Sequence, residues 1–221
     1  KSIEVAMEMA EVQGVGVVAV SNSSHPGAMA SMALKAARKG YIALAFTHAD
    51  ALLLSHNGTR PYFGTNPICI AVPREEQEPY CLDMASSIVS WNKVLLHKNT
   101  KAELIAGVAA DANGNLTTNP EEATCLVPTG TYKGFGIASM VEVLCGIYTG
   151  MQFGRAIPSM YKAPMDEPRF LGQFYMVFRV DGVINKSEFL STMQAMSDEV
   201  RAEQAIDGEE VMMPGDPEVN T

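Results

Sequence analysis

Gly14-Val15-Gly16-Val17-Val18-Ala19-Val20 runs into Ser21-Asn22-Ser23-Ser24-His25-Pro26-Gly27, then into Ala28 to Lys39, then into Gly40-Tyr41-Ile42-Ala43-Leu44-Ala45-Phe46. The fold is decided in this stretch. Val15 to Val20 is a β-branched run and predicts a strand. Residues 21–27 are polar and end in Pro-Gly, which predicts a loop. Ala28 to Lys39 is rich in Ala, Met, Leu, Lys and Arg, so a helix is expected, with Gly40 as its stop. Tyr41 to Phe46 reads as a second, buried strand. Strand, loop, helix, strand is the order of a βαβ unit. Before it, Ile3 to Val12 places apolar side chains at helical spacing and ends at Gly14.

Working outward, a long loop carries Asn57-Gly58 and Gly64-Thr65-Asn66-Pro67. Ile68 to Val72 and Tyr80 to Leu82 read as strands around the charged Arg74 to Glu78 turn. Ser87 to Leu96 predicts a helix. Ile105 to Ala110 predicts a short strand before the turn Asp111-Ala112-Asn113-Gly114. Gly134 to Tyr148 is apolar nearly all round, which predicts a buried helix. Phe174 to Val180 reads as a strand and Ser187 to Ala202 as an amphipathic helix, with Ser187 and Glu188 as its cap. The tail, Asp207 to Thr221, is acidic and turn-rich. Strands and helices mix without strict alternation, so an α/β or α+β fold with a mixed sheet is expected.

The 221 residues are 47% hydrophobic and 19% charged, enough for a sizeable core and incompatible with wholesale disorder. One domain, or one large and one small, is expected at this length. Runs such as Tyr41 to Phe46 are too short to span a bilayer. Opening on Lys1, the chain shows no signal peptide or basic, apolar leader. Sixteen Lys and Arg stand against 25 Asp and Glu, a formal charge of −9. That balance argues against nucleic-acid and membrane partners and leaves room for a locally positive pocket. The four cysteines, Cys69, Cys81, Cys125 and Cys145, show no CxxC or zinc spacing. They read as free thiols in a reducing, cytoplasmic setting.

His25 lies in a loop after a strand and ahead of a helix, where α/β folds place ligands. Histidine as a residue type suits proton exchange with a substrate oxygen; the bland reading is a surface imidazole with local hydrogen bonds. His48 and His56, with Asp50, match no metal motif. The pair Gly14-Val15-Gly16 precedes its strand and lacks a third glycine, so it is not a dinucleotide fingerprint, and a Walker A loop is absent. Gly130-Thr131-Tyr132-Lys133-Gly134-Phe135-Gly136, just before a long helix, is a better anion site: free N–H groups, close approach at glycine and the Lys133 charge. Asp83 in Asp83-Met84-Ala85-Ser86-Ser87 either caps the following helix or accepts from a ribose hydroxyl. Pro214-Gly215-Asp216-Pro217 by itself is a turn.

Together these residues resemble the malate/L-lactate dehydrogenase family, the non-Rossmann type that includes ureidoglycolate and sulfolactate dehydrogenases. The resemblance rests on Ser24-His25-Pro26-Gly27, Ala36-Ala37-Arg38-Lys39-Gly40-Tyr41-Ile42, Phe63-Gly64-Thr65-Asn66-Pro67 and Leu82-Asp83-Met84-Ala85. It continues through Tyr132-Lys133-Gly134-Phe135-Gly136, Phe153-Gly154-Arg155, Leu171-Gly172-Gln173 and Pro214-Gly215, nearly the whole chain. Ser90-Trp91-Asn92-Lys93-Val94 and Ser159-Met160-Tyr161 look most like the ureidoglycolate dehydrogenase branch.

The resemblance implies a non-Rossmann, mixed-sheet NAD(P)-binding fold, and hydride transfer between NAD or NADP and a small anionic 2-hydroxy or 2-keto acid of the malate, lactate or ureidoglycolate type. It implies a homodimer with no metal. By carry-over, His25 is the catalytic acid–base, and Asp83, Met84, Ala85, Lys133, Gly134, Gly215, Asp216 and Pro217 are the cofactor residues. The expected organisation is a cofactor-binding and catalytic domain over 1–205 and a tail over 206–221 that contributes to the same site. Two departures stand out. Ala49, 24 residues after His25, occupies a position that is often serine in close relatives. The family's Ser-His-Gly motif, its substrate arginine and its C-terminal helix have no counterpart in this sequence, so the chain reads as a cofactor domain cut at both ends. The alternative reading is a non-catalytic interaction protein or inactive fragment that keeps the fold.

Overall fold

The computed structural model describes residues 1–164 and 166–219. Its elements, in chain order, are α1 (Ser2–Gln13), β1 (Val15–Ser23), α2 (Ala30–Ala37), β2 (Tyr41–Thr47), β3 (Leu53–Leu54), β4 (Pro61–Phe63), β5 (Ile68–Val72) and β6 (Tyr80–Met84). They continue with α3 (Trp91–Thr100), β7 (Ala109–Ala110), β8 (Leu116–Thr117), β9 (Cys125–Leu126), α4 (Tyr132–Glu142), β10 (Leu171–Arg179), α5 (Lys186–Arg201) and the short α6 (Asp216–Val219).

The first sheet has the order β1-β10-β2-β5-β6, and each neighbouring pair is antiparallel. The expected strand–helix–strand unit is therefore split. β1 and β2 run parallel, but β10 lies between them, pairing Tyr175 with Val18 on one side and Ala45 on the other. One consequence governs the rest. β1, β2 and β6 all point the same way, so their carboxyl ends meet one edge of the sheet. The starts of β5 and β10 reach that edge too. The second sheet, β4-β3-β9-β7-β8, joins β3 to β9 in parallel and its other neighbours in antiparallel fashion, so the mixed pairing expected from sequence resides there.

Helices α1 and α2 cover one face of the first sheet, with Ile3, Ala6, Ala33, Ala43 and Tyr175 in the core between them. Small residues set the spacing: a methyl at Gly16 would lie 1.9 Å from the Ala6 carbonyl oxygen. The opposite face is covered by α4 through Phe46, Val141, Cys145 and Phe174. Against the second sheet, α3 packs Val94 over Leu104, Val108 and Leu126.

The departures from the sequence reading have local causes. The strand over 105–110 shrinks to Ala109–Ala110. Helix α3 begins at Trp91 because the Ser90 hydroxyl accepts from the Lys93 N–H, and α5 is capped by Asn185, not Ser187. The helical segment over 134–148 is not buried all round: Met140 of α4 and Val143, Ile147 and Tyr148 beyond it form an exposed apolar stripe. Regular α geometry ends at Glu142 and gives way to a π-helical turn over Val143–Ile147. Gly172 approaches this turn so closely that a methyl there would stand 1.7 Å from the Cys145 carbonyl oxygen.

Two glycine substitutions therefore separate by sign. Gly172→Ala forces backbone apart and is expected to destabilise by at least ~1–3 kcal/mol. Gly136→Ala, in α4 with open space around it, is expected to stabilise by about 0.4–1 kcal/mol. Urea unfolding of the two variants measures both.

Candidate active site

The His25 loop leaves the carboxyl end of β1 and is tied to the neighbouring strand. The Gln173 amide on β10 donates to the Ser23 hydroxyl at 2.7 Å and to the Ser24 carbonyl at 3.2 Å. Its own carbonyl accepts from the Tyr175 hydroxyl at 2.6 Å. Burial raises the Tyr175 phenol to about 12, so it stays a neutral donor at physiological pH. The chain before His25 is thus fixed by hydrogen bonds that run from the buried Tyr175 and Gln173 out to Ser23 and Ser24, while His25 itself is exposed.

The imidazole has a definite tautomer. Its Nδ1 accepts from the Gly27 N–H at 3.1 Å, so a neutral ring carries its proton on Nε2. Releasing a proton from Nε2, or accepting one there, requires the other proton on Nδ1. That breaks the Gly27 contact, because two donors then face each other. The loop contact and proton exchange at Nε2 exclude one another.

Asp83 lies at the end of β6, across the sheet edge. The sequence reading offered it as a cap for the helix that follows; instead it serves α2. Its Oδ2 accepts from the Ala30 N–H at 2.7 Å, and the Met29 N–H also bonds to the carboxylate. Helix α2 has no capping side chain of its own, since Met29 occupies that position. A carboxylate from another strand takes over, favoured by the helix dipole. Desolvation against α2 outweighs these donors and holds the Asp83 carboxyl above the ordinary range. Asp83 and Gly215 share the wall of a cleft of about 330 Å³ with Ala30 and Cys81. The tail is laid there by the Cys81 N–H, which donates to the Pro214 carbonyl at 3.1 Å, and Gly215 takes φ 99° where it passes β6.

Lys133 and Gly134 approach the same run of chain from α4. The Thr129 N–H donates to the Ser86 carbonyl at 2.8 Å, and a methyl at Gly134 would stand 2.7 Å from that same oxygen. The backbone part of the anion-site reading needs correcting: the Lys133 N–H is engaged by the Gly130 carbonyl and the Gly134 N–H by the Thr129 carbonyl. What remains available at this helix start is the exposed Lys133 side chain, which has no ion-pair partner among the described residues. Asp216 is likewise engaged. Arg201 holds it through Nε at 2.8 Å and Nη2 at 2.6 Å, Arg74 reaches it at 3.3 Å, and the Met213 N–H donates at 2.8 Å. Its carboxylate fixes the turn, and Gly215 is the part of the turn that faces the cleft.

A buried polar cluster underlies the edge. Asn66 donates to Glu142 Oε2 at 2.6 Å and to the Ala138 carbonyl, and accepts from the Ala49 N–H. Glu142 Oε1 accepts from the Gly154 N–H, and His48 Nε2 from the Gly172 N–H at 2.8 Å. Asp50 turns instead to Arg169 at 2.8 Å. His48 and Asp50 are therefore structural. The roles of Gln173, Asn66 and Glu142 were not assigned from sequence; the Gly-Thr-Asn-Pro and Leu-Gly-Gln motifs were the available signals.

A family model described as malate/L-lactate dehydrogenase matches residues 1–221, and the chain belongs to that family. Ureidoglycolate dehydrogenase (NAD(+)) of Escherichia coli strain K12 is 35% identical over 175 residues, covering 79% of this chain and 50% of that protein. The (2R)-3-sulfolactate dehydrogenase (NADP(+)) of Chromohalobacter salexigens is 34% identical over 180 residues, covering 80% of this chain and 54% of its own. The solved structure of sulfolactate dehydrogenase from Methanocaldococcus jannaschii superposes with a TM-score of 0.91 at 28% identity, over 99% of this chain and 63% of that one. The chain spans about half the length of the curated relatives it matches. No helix among the described residues is long and apolar enough to cross a membrane.

The Asp216 clamp has a pH signature. The Arg201 hydrogen bonds hold its carboxyl well below the usual carboxylate range. The folded form therefore favours the charged group: its stabilisation is complete above the unfolded carboxylate value of about 3.9 and is lost as pH falls below it. Asp216→Asn is expected to flatten the acid limb of a stability-against-pH curve while lowering stability at neutral pH. Urea unfolding from pH 7 to pH 2 measures both.

Proposed function

We propose that the gene product carrying this chain transfers a hydride between NAD or NADP and a small anionic 2-hydroxy or 2-keto acid. One observation carries the reading: the His25 loop and the Asp83 cap of α2 lie at the carboxyl ends of β1 and β6, and the Gly215 turn, packed beside Cys81, shares a cleft with Asp83. That is where strand ends of an α/β fold present ligands. Family membership supports it, as do relatives named for ureidoglycolate, sulfolactate and malate, which share a hydroxyl beside a carboxylate.

The donor set fits a nicotinamide dinucleotide. In this reading Asp83 offers a carboxylate to a ribose hydroxyl, Met84 and Ala85 follow it in the chain as further cofactor contacts, Lys133 offers charge to a phosphate beside Gly134, and Gly215, on the cleft wall, contacts the cofactor from the tail together with Pro217. Asp216 acts through the turn it fixes. When bound, the nicotinamide supplies the two-electron acceptor or donor. His25 exchanges the accompanying proton with the substrate oxygen at Nε2, after its Gly27 contact opens. In this reading residues 1–205 form the cofactor-binding and catalytic unit, and the tail over 206–221, of which 220 and 221 lie outside the described residues, contributes to its site. The exposed stripe of Met140, Val143, Ile147 and Tyr148 supports a homodimer, because an apolar face of this kind marks an interaction surface. Four free cysteines favour a cytoplasmic setting.

In the full-length gene product, His25→Ala is expected to cut turnover by about 10²–10⁴-fold and leave NADH affinity nearly unchanged. Asp83→Ala with Lys133→Ala is expected to weaken NADH binding by at least about tenfold. Steady-state rates over a 2-hydroxy acid panel and calorimetric titration with NADH and NADPH test both. Equal loss of turnover and NADH affinity in His25→Ala would assign that residue a structural role.

A further inference from the structure

A second cleft, of about 580 Å³, lies between α3, the second sheet and the segment after Gly154. Its walls carry Arg60, Lys98, Arg155 and Lys162, around an apolar floor that includes Trp91 and Ile157. None of the residues assigned to the proposed nicotinamide site lines it.

The charge accounting singles this cleft out. The chain has seven arginines and a formal charge of −9. Five of them, Arg38, Arg74, Arg169, Arg179 and Arg201, are in ion pairs with carboxylates. The two that are not, among the described residues, are Arg60 and Arg155, and both face this cleft. Lys98 and Lys162 are also without an ion pair there. Two carboxylates share the wall. Asp50 is taken by Arg169 at 2.8 Å and by the Met160 N–H, which leaves Glu121 against four cations. A cleft of this volume is roughly 10 Å across, comparable with the ~8 Å Debye length at physiological salt, so the four fields overlap inside it. On an acidic protein, cations left together without partners repel one another, and an anion placed between them relieves that repulsion.

The cleft is also prepared for such a ligand. The Arg155 Nε donates to the Pro61 carbonyl at 2.9 Å, and its guanidinium lies 5.1 Å from the centre of the Tyr62 ring. Stacking and one backbone bond pin the group and leave its two terminal nitrogens unbonded. A planar guanidinium held this way recognises carboxylate or phosphate with little ordering cost. The Lys98 ammonium, 6.0 Å from the centre of the Trp91 ring, is held on the same wall.

We propose that this cleft is a binding site for a small polyanion, one molecule carrying two or more carboxylate or phosphate groups, separate from the nicotinamide site. Volume and charge both exceed what one monocarboxylate fills.

Trp91 is the chain's sole tryptophan, so its fluorescence reports on this wall directly. The test titrates the protein with citrate and with tripolyphosphate, against sodium chloride at matched ionic strength. A saturable change in Trp91 emission with either probe is expected; citrate alone identifies a polycarboxylate, and tripolyphosphate alone a phosphate ligand. Arg155→Gln is expected to weaken the response about tenfold or more. Lys162→Gln, on an exposed side chain without an ion pair, is expected to weaken it about threefold with unfolding unchanged. Asp83→Ala with Lys133→Ala is expected to leave it intact. The proposal is overturned if neither probe saturates, if sodium chloride reproduces the change, or if Lys162→Gln binds as wild type. It is equally overturned if the Asp83 and Lys133 variant loses the response, which would assign it to the other cleft.

Discussion

The insertion of β10 between β1 and β2 is the constraint on which this structure rests. With a strand hydrogen-bonded on both flanks, the unit β1-α2-β2 cannot close as adjacent parallel strands. It opens by one strand width, and alternating antiparallel neighbours then bring the ends of β1, β2 and β6 to one edge. The placement of the His25 loop and of Asp83 follows from that edge. β10 also supplies Gln173, which ties down the chain just before His25, and Gly172, whose N–H fixes His48. A strand more than 140 residues away in sequence thus positions the loop that the first strand leaves.

Much of the first half was legible because its physics is local. A β-branched run, a Pro-Gly breaker and an alanine-rich helix place β1, the His25 loop and α2 in order without tertiary information. Glycine stops were equally readable, as Gly14 shows by ending α1 in the left-handed region at φ 82°. Pairing was not readable. No pattern in Leu171 to Arg179 says that it enters between two earlier strands. The two-residue strands of the second sheet are too short to show any period. The exposed stripe of Met140, Val143, Ile147 and Tyr148 escaped because a helix that is apolar on every face looks buried until its neighbours are counted.

The candidate site was legible in a different way. His25, Asp83, Lys133 and Gly215 came from motif resemblance, and the fold gives each a neighbourhood. Their side-chain duties could not be read in advance. Asp83 caps a helix that precedes it by some fifty residues, a contact created by the sheet order alone. Asp216 looked like a ligand group and is held in an arginine clamp, while the neighbouring glycine faces the cleft. Asn66 and Glu142 form a buried pair that composition does not hint at, and it anchors the underside of the edge. The general lesson concerns charge. In this acidic chain most arginines have a structural carboxylate, so it is the unpartnered cations that point to ligands.

The proposed function places the nicotinamide cofactor at the edge formed by β1, β2 and β6. Hydrogen–deuterium exchange of the full-length protein, with and without saturating NADH, tests it most directly. Protection is predicted in residues 24–31, 83–86 and 130–136 and in the Gly215 turn, with no comparable change in α3. Protection absent from the His25 loop and the end of β6, or concentrated on the second sheet, would place the cofactor elsewhere.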